Sequence, residues 1–400
     1  MVFADRGLKA GSLEIRAAYQ PVRTCFENGV LSVYNRLDFT NLSEYTFHYH
    51  TEVDGKILKA ENVNLDLEPH TSTTIAIDWE APVCKLGAHL NIVVEKAGVI
   101  HAICQHPLPC TVQEEEQSET LNGTESQYEI RFEGDGFLYT FSKHYGVFTS
   151  MIVNGKEQLS GVPVLSVFRP TIDNERKIWD YWINMTTWKG ENIDQTFSKV
   201  YDTSFENGRI TVNGSLAGIS RKPLLKHTLT YTVYKNGTVK VELEGNIRSD
   251  AYWLQRLGFE LILPEEHNAF SYYGRGPVEC YCDMHHAMPV GAYQSCAADE
   301  YVPYPMPQEH GNHFDTKELI IGDLVFRAEK TMEINVSRYS TEAIQKAKHT
   351  DELVADGKTH LRIDYKNSGV GSAACGPELA KQYQLCEKEV EFAFTISPKK

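Results

Sequence analysis

Thr228-Leu229-Thr230-Tyr231-Thr232-Val233-Tyr234-Lys235-Asn236-Gly237-Thr238-Val239-Lys240-Val241-Glu242-Leu243 is the stretch that decides the fold. Leu229, Tyr231 and Val233 alternate with polar residues, and Val239, Val241 and Leu243 alternate back. Side chains two apart share one face of a strand, so each arm presents an apolar face and a polar one. Asn236-Gly237 between the arms predicts a type I′ turn, whose two central residues both need positive φ. Similar units stand at Val30–Tyr34 after Asn28-Gly29 and at Ile210–Val212 before Asn213-Gly214. Helical signals are few and short: Glu342–His349, Glu378–Gln384 after Pro377, and the Trp-rich stretch Glu175–Trp188. The expected fold class is all-β.

Four hundred residues are enough for about two to three domains. The composition breaks at Gln113–Ser126, where Glu114-Glu115-Glu116-Gln117-Ser118-Glu119 precedes Asn122-Gly123. That acidic run reads as a linker over 116–126. Residues 1–115 before it have the size of one immunoglobulin-like sandwich, and 127–400 after it form a larger β unit without an equally clear break.

The hydrophobic fraction of 42% and charged fraction of 23% are those of a globular chain. A net charge of −15 argues against a nucleic-acid partner, which needs clustered Lys and Arg. No apolar run approaches the ~18 residues of a membrane span. The first residues, Met1-Val2-Phe3-Ala4-Asp5-Arg6, lack a basic segment followed by an apolar one, so a cytoplasmic location is expected. Nine cysteines without a CxxC pair read as reduced thiols.

Four stretches concentrate Gly, Pro, Arg and aromatic residues: Phe168–Arg176, Tyr272–Asp283, Tyr301–His313 and Val336–Ser340. The polar members that stand out are Arg169, Asp173, Asn174, Arg275, Glu279, Asp283, Glu309, Asn312 and Arg338. Rigid loops with charged forks and exposed rings hold sugars on β-sandwiches. The plainer reading is bracing by buried Arg–carboxylate pairs, with Glu279 and Glu309 as partners of Arg275 or Arg338. His48 and His50 share a strand face and His285-His286 are adjacent, but no third ligand has metal-site spacing.

Met1–Arg6 and Tyr19-Gln20-Pro21-Val22 resemble the segment that follows the barrel in glycoside hydrolase family 2 β-galactosidases. Tyr273-Gly274-Arg275-Gly276-Pro277-Val278-Glu279, Pro307-Gln308-Glu309-His310-Gly311-Asn312 and Ser337-Arg338-Tyr339-Ser340 are similar to hallmark loops of that enzyme's last domain, the small chain. Leu361-Arg362-Ile363-Asp364, Gly369-Val370-Gly371 and Cys375-Gly376-Pro377 resemble the same domain near its end. The resemblance covers essentially the whole chain. It implies a fourth domain of immunoglobulin type and a fifth related in fold to galactose mutarotases.

It also implies that a loop including Ala374, Cys375 and Gly376 lines the rim of the substrate pocket. Family members place a Trp where Cys375 stands, and a thiol lacks the broad π-face of an indole. Met284 and His313 stand where Arg is usual, and His310 where Asn is usual. Retaining hydrolysis needs two carboxyl groups ~5–5.5 Å apart, and the family carries both on the barrel, which this chain lacks. No catalytic residue is therefore expected here, and the chain alone should be inactive. The family's Mg and Na ions sit mainly with the barrel, so none is expected to bind tightly to this chain. The implied partners are the catalytic barrel, a galactoside such as lactose, and further copies in an oligomer. A stand-alone carbohydrate-binding sandwich and a mutarotase-like epimerase are the alternatives.

Overall fold

A computed structural model of the chain describes residues 2–3, 5–113, 118–175, 190–371 and 377–399. They divide into two compact units. One contains Met1–Glu115, Tyr273–Cys280 and Met284–Tyr293. The other contains Glu116–Tyr272, Tyr281–Asp283 and Gln294–Lys400.

In the first unit, Val22–Glu27, Val30–Asn35 and Ser72–Ala76 form a three-stranded sheet. Lys56–Val63, Thr46–Val53, Ala88–Lys96 and Val99–Pro107 form a four-stranded one, in that order. Val22, Leu31 and Val33 of the first sheet share one buried cluster with Phe47, Tyr49, Leu90, Ile92 and Val94 of the second. Two sheets closed over one apolar layer make a sandwich of immunoglobulin type. Asn28 (φ 50°) and Gly29 (φ 78°) turn its first hairpin with both residues left-handed, as a type I′ turn requires. The helix Ala10–Ala18 had no clear signal in the sequence.

The second unit opens with an antiparallel meander through Glu129–Gly134, Phe137–Ser142 and Val147–Val153. Its rings pack edge-on against the large sheet: Phe141 and Phe148 meet Tyr231 at 5.3 and 5.6 Å, and Phe132 meets Phe205 at 5.7 Å. The large sheet runs Val164–Ser166, Arg256–Pro264, Lys358–Asn367, Leu324–Ser337, Glu389–Pro398, Val239–Ile247, Leu225–Val233, Arg209–Gly218, Thr196–Glu206. It curls until its two outer strands, Val164–Ser166 and Thr196–Glu206, touch. The fold class is all-β, as the alternation implies. Of the expected linker, residues 116 and 117 lie outside the described residues, whereas Leu121 donates to the Val233 carbonyl (2.8 Å) and Thr124–Glu125 is a short strand.

Several local expectations change. The 228–243 hairpin forms with Val233 opposite Val239, but its connection is longer than a type I′ turn. Gly237 N–H closes onto the Tyr234 carbonyl (3.0 Å) and Gly237 alone is left-handed (φ 81°), while Asn236 accepts from Thr238 N–H (3.1 Å). Asn213-Gly214 is no turn at all: it continues the strand Arg209–Gly218. A Cβ at Gly214 would lie 2.8 Å from Cε1 of His227 on the neighbouring strand, so the glycine makes room for that ring. The helix expected at Glu342–His349 runs Thr341–Lys346, begun by Ser340, which accepts from Ala343 N–H (3.1 Å). Glu378–Gln384 makes only a 3₁₀ turn, Lys381–Tyr383. Asp173–Glu175 starts a helical turn, and the rest of the Trp-rich stretch, 176–188, lies outside the described residues.

Candidate functional site

Three adjacent strands of the second unit build a buried polar layer. The register sets Gly258 and Glu333 opposite Asp364, and Glu260 and Asn335 opposite Arg362. Charged side chains at facing positions of neighbouring strands reach one another directly. Arg256 donates to Asp364 through Nε (3.0 Å) and Nη2 (2.5 Å), and to Glu260 through Nη1 (2.6 Å). Gly258 makes this pairing possible, since a Cβ there would fall 2.0 Å from Asp364 Oδ1. Arg362 clasps Glu309 at both oxygens, 2.8 and 2.5 Å away. Removing these charges from water is costly, and bidentate pairing is the geometry that offsets it. Burial alone would raise the Glu309 carboxyl, but Arg362, joined by Arg169 and His310, outweighs it and holds the group below the usual range.

Glu333 sits next to this pairing, and among the described residues no cation pairs with it. It accepts from Asn367 N–H (2.8 Å) and from Asn312 Nδ2 (2.6 Å), and burial pushes its carboxyl up to about 8 against those two bonds. Neither Glu333 nor Asp364 drew notice as a charge-bearing site in the sequence, because what distinguishes them is the strand register.

The layer holds the approach to the loop of interest. Arg169 is fully buried. It donates to the carbonyls of Ser368 and Gly369 (the latter at 3.0 Å) and to Glu175 (3.1 Å). Ser368 Oγ donates to the Leu254 carbonyl (2.6 Å) and accepts from Leu385 N–H (2.8 Å). Asp283 grips the same segment, accepting from Val370 N–H (3.1 Å) and Gly371 N–H (2.7 Å). A Cβ at Gly369 would lie 2.4 Å from the Asp283 carboxylate, so only glycine allows the approach. Residues 368–371 are thus fixed just before Ala374, Cys375 and Gly376, which lie outside the described residues.

The other motif residues separate into two groups. Asp173 donates its N–H to Gln308 Oε1 (2.7 Å), with half-buried Asn174 beside it. Asn312 is buried between Glu333 and Asn367. His313, despite replacing an Arg, still faces a carboxylate: Glu300 at 2.9 Å, with the Tyr272 hydroxyl at 3.0 Å. His310 is buried with Nδ1 2.7 Å from the Gln308 carbonyl, and burial lowers its pKa. Glu309 therefore pairs with Arg362 rather than with Arg275 or Arg338. That partner lies on a strand 53 residues further along the chain, a distance no loop motif reveals. Arg338 is exposed, its guanidinium 5.7 Å over the Tyr339 ring. In the first unit, Arg275 donates to the Met288 carbonyl (3.0 Å) and Glu279 is buried. Among the described residues, no three His, Cys, Asp or Glu side chains converge as metal donors.

Residues 133–396 match the family model of the β-galactosidase small chain, and residues 31–98 that of β-galactosidase domain 4. The β-galactosidase of Actinobacillus pleuropneumoniae is 26% identical over 99% of this chain and 40% of its own length. That of Kluyveromyces lactis is 28% identical over 97% of this chain and 38% of its own. This chain thus spans about 40% of the length of such relatives. Among solved structures, an aldose epimerase homologue from C. elegans aligns at a TM-score of 0.35 and 10% identity, covering 67% of this chain and 98% of that one. With a model matched over more than half its length, the chain belongs to the β-galactosidase small-chain family.

Proposed function

We propose that this chain is the non-catalytic part of a β-galactosidase, completing the pocket rim and supporting assembly while a barrel supplied elsewhere carries the chemistry. The observation that supports this most is the grip on residues 368–371. Arg169 and Asp283 hold that segment from two sides at the cost of burying a guanidinium, which suits a loop that must be presented in one position. The motif carboxylates do not fit a retaining pair. Glu309 is buried and clasped by Arg362, and Glu279 is buried, so neither lies open to a sugar. The same burial disfavours an epimerase built on His310 and Glu309. Lactose or a similar β-galactoside is the proposed substrate of the whole assembly, with Mg and Na held mainly by the barrel, several copies assembling, and a cytoplasmic location.

The test is hydrolysis of a chromogenic β-galactoside by the chain alone and by the chain mixed with a barrel-containing fragment lacking these domains. Activity only in the mixture is expected. Turnover by the chain alone would overturn the reading.

A further inference from the structure

The motif Tyr273–Glu279 runs directly into the residues that grip the segment 368–371. Tyr273–Cys280 and Met284–Tyr293 belong to the first unit, and the three residues between these arms, Tyr281–Asp283, belong to the second. There, Asp283 accepts from Val370 N–H (3.1 Å) and Gly371 N–H (2.7 Å), and the Tyr281 hydroxyl faces Glu309 at 3.4 Å.

In the first unit both arms are tied down. Glu14, on the helix Ala10–Ala18, accepts from the N–H groups of His286 and Ala287 (3.2 Å each) and faces the His286 ring at 2.5 Å. A Cβ at Gly11 of the same helix would meet the Met284 sulfur at 3.9 Å, so the residue that follows Asp283 packs there as well. Gln105, on the strand Val99–Pro107, donates to the Val290 carbonyl (2.6 Å) and accepts from Val290 N–H (2.9 Å). Arg275 joins the arms, donating to the Met288 carbonyl (3.0 Å), and Gly276 N–H donates to the Pro289 carbonyl (3.2 Å). All these bonds satisfy backbone groups, so they fix the course of the chain itself. With His286 held, Asp283 is three residues away and has at most about 10 Å of reach. A carboxylate that must present its oxygens to two N–H groups needs such support.

We infer that Glu14, Gln105 and Arg275 are positioning residues for the segment 368–371, acting along the chain through Asp283. Each fixes backbone on one side of Asp283 or the other. The consequence for a sugar pocket rests on reading that segment as the approach to the rim, whereas the positioning does not.

The test is hydrogen–deuterium exchange of the intact chain, without any barrel fragment, read at the Val370 and Gly371 amides. Glu14→Ala, Gln105→Ala and Arg275→Met should each speed exchange there about tenfold, approaching the rate in Asp283→Ala, while amides of the strand Glu389–Pro398 keep the parent rate. Glu14→Gln, which keeps one acceptor oxygen, should recover part of the protection. Should Gln105→Ala or Arg275→Met fail to fold, Glu14→Ala, at the more exposed contact, decides. Faster exchange at 285–290 with parent rates at Val370 and Gly371 would overturn the inference. In mixtures with a barrel fragment, the same variants should raise KM for a chromogenic β-galactoside more than they lower kcat. Faster exchange with KM unchanged would uphold the positioning and count against the rim reading.

Discussion

Replacing Arg169 by Met keeps the side-chain volume and deletes the charge, which makes it the sharpest probe of the buried layer. Three interactions vanish: the ion pair to Glu175 at 3.1 Å and the bonds to the Ser368 and Gly369 carbonyls. Hydrogen bonds to charged groups contribute ~1.5–3 kcal/mol each, and removing one partner of a buried pair costs ~3–5 kcal/mol. These overlap, and Glu175 keeps Ile172 N–H (3.2 Å) and Gln255 Nε2 (3.1 Å), so the expected loss is ~3–5 kcal/mol rather than the sum. For a unit of this size that lowers its melting temperature by roughly 6–20 °C. In scanning calorimetry, unfolding of the second unit should move to lower temperature and that of the first should not. Adding Glu175→Gln should restore ~1–3 kcal/mol, because the stranded carboxylate is the main penalty. A loss below ~1 kcal/mol, or no recovery in the double variant, would refute the view that Arg169 secures this layer.

Glu333 gives a pH signature. Its folded pKa, about 8, lies above the unfolded carboxylate value, so its contribution is fully present below about pH 4.5 and is lost as pH rises toward 8. Glu333→Gln should flatten the fall in urea midpoint between pH 6 and about 8, and an unchanged slope would count against it. Gly369→Ala should destabilise the second unit by ~1–3 kcal/mol, through the 2.4 Å collision with Asp283, and a melting temperature equal to the parent's would show the loop can yield. Cys84 and Cys110 place their sulfurs 2.6 Å apart, so mild oxidation should link them with the loss of two titratable thiols, and Cys84→Ser should abolish it. Persistence of both thiols under oxidant would contradict that pairing.

The strands were legible because alternation is a local signal: Leu229, Tyr231 and Val233 are buried as their spacing implies. Turn chemistry was less so. Asn28-Gly29 and Asn236-Gly237 are identical dipeptides, yet only the first has both residues left-handed, since the length of the connection is set by the strands it joins. Asn213-Gly214 misled because a glycine can serve a neighbour's bulk, here His227, as well as a turn. The short helix expected at Glu378–Gln384 gave way to the bridge Leu254–Leu385 and to Gln384 bonding the Leu379 carbonyl at 2.6 Å. Of the site, Arg169, Asp283 and Glu309 stand in motifs, and so do Glu175, Arg362 and Gly369–Gly371, but the sequence does not say which pairs with which. Arg362 reaches Glu309 from the strand Lys358–Asn367, 53 residues further along, and Glu333 carries no motif at all.

The outermost strand, Thr196–Glu206, has a consequence for solubility. It is eleven residues long, with Phe197 and Tyr201 half exposed and one row of backbone groups facing away from its partner Arg209–Gly218. Such an edge templates the addition of foreign strands and, from there, fibrils. Tyr201 is the extra residue of a bulge, opposite the Val200–Gly214 and Asp202–Asn213 pairs, and it tethers to Ser215 at 2.8 Å. The irregularity, with Lys199 and Asp202 on either side, spoils the flat ladder that an incoming chain would need. Guarding against aggregation is thus written into the edge strand itself.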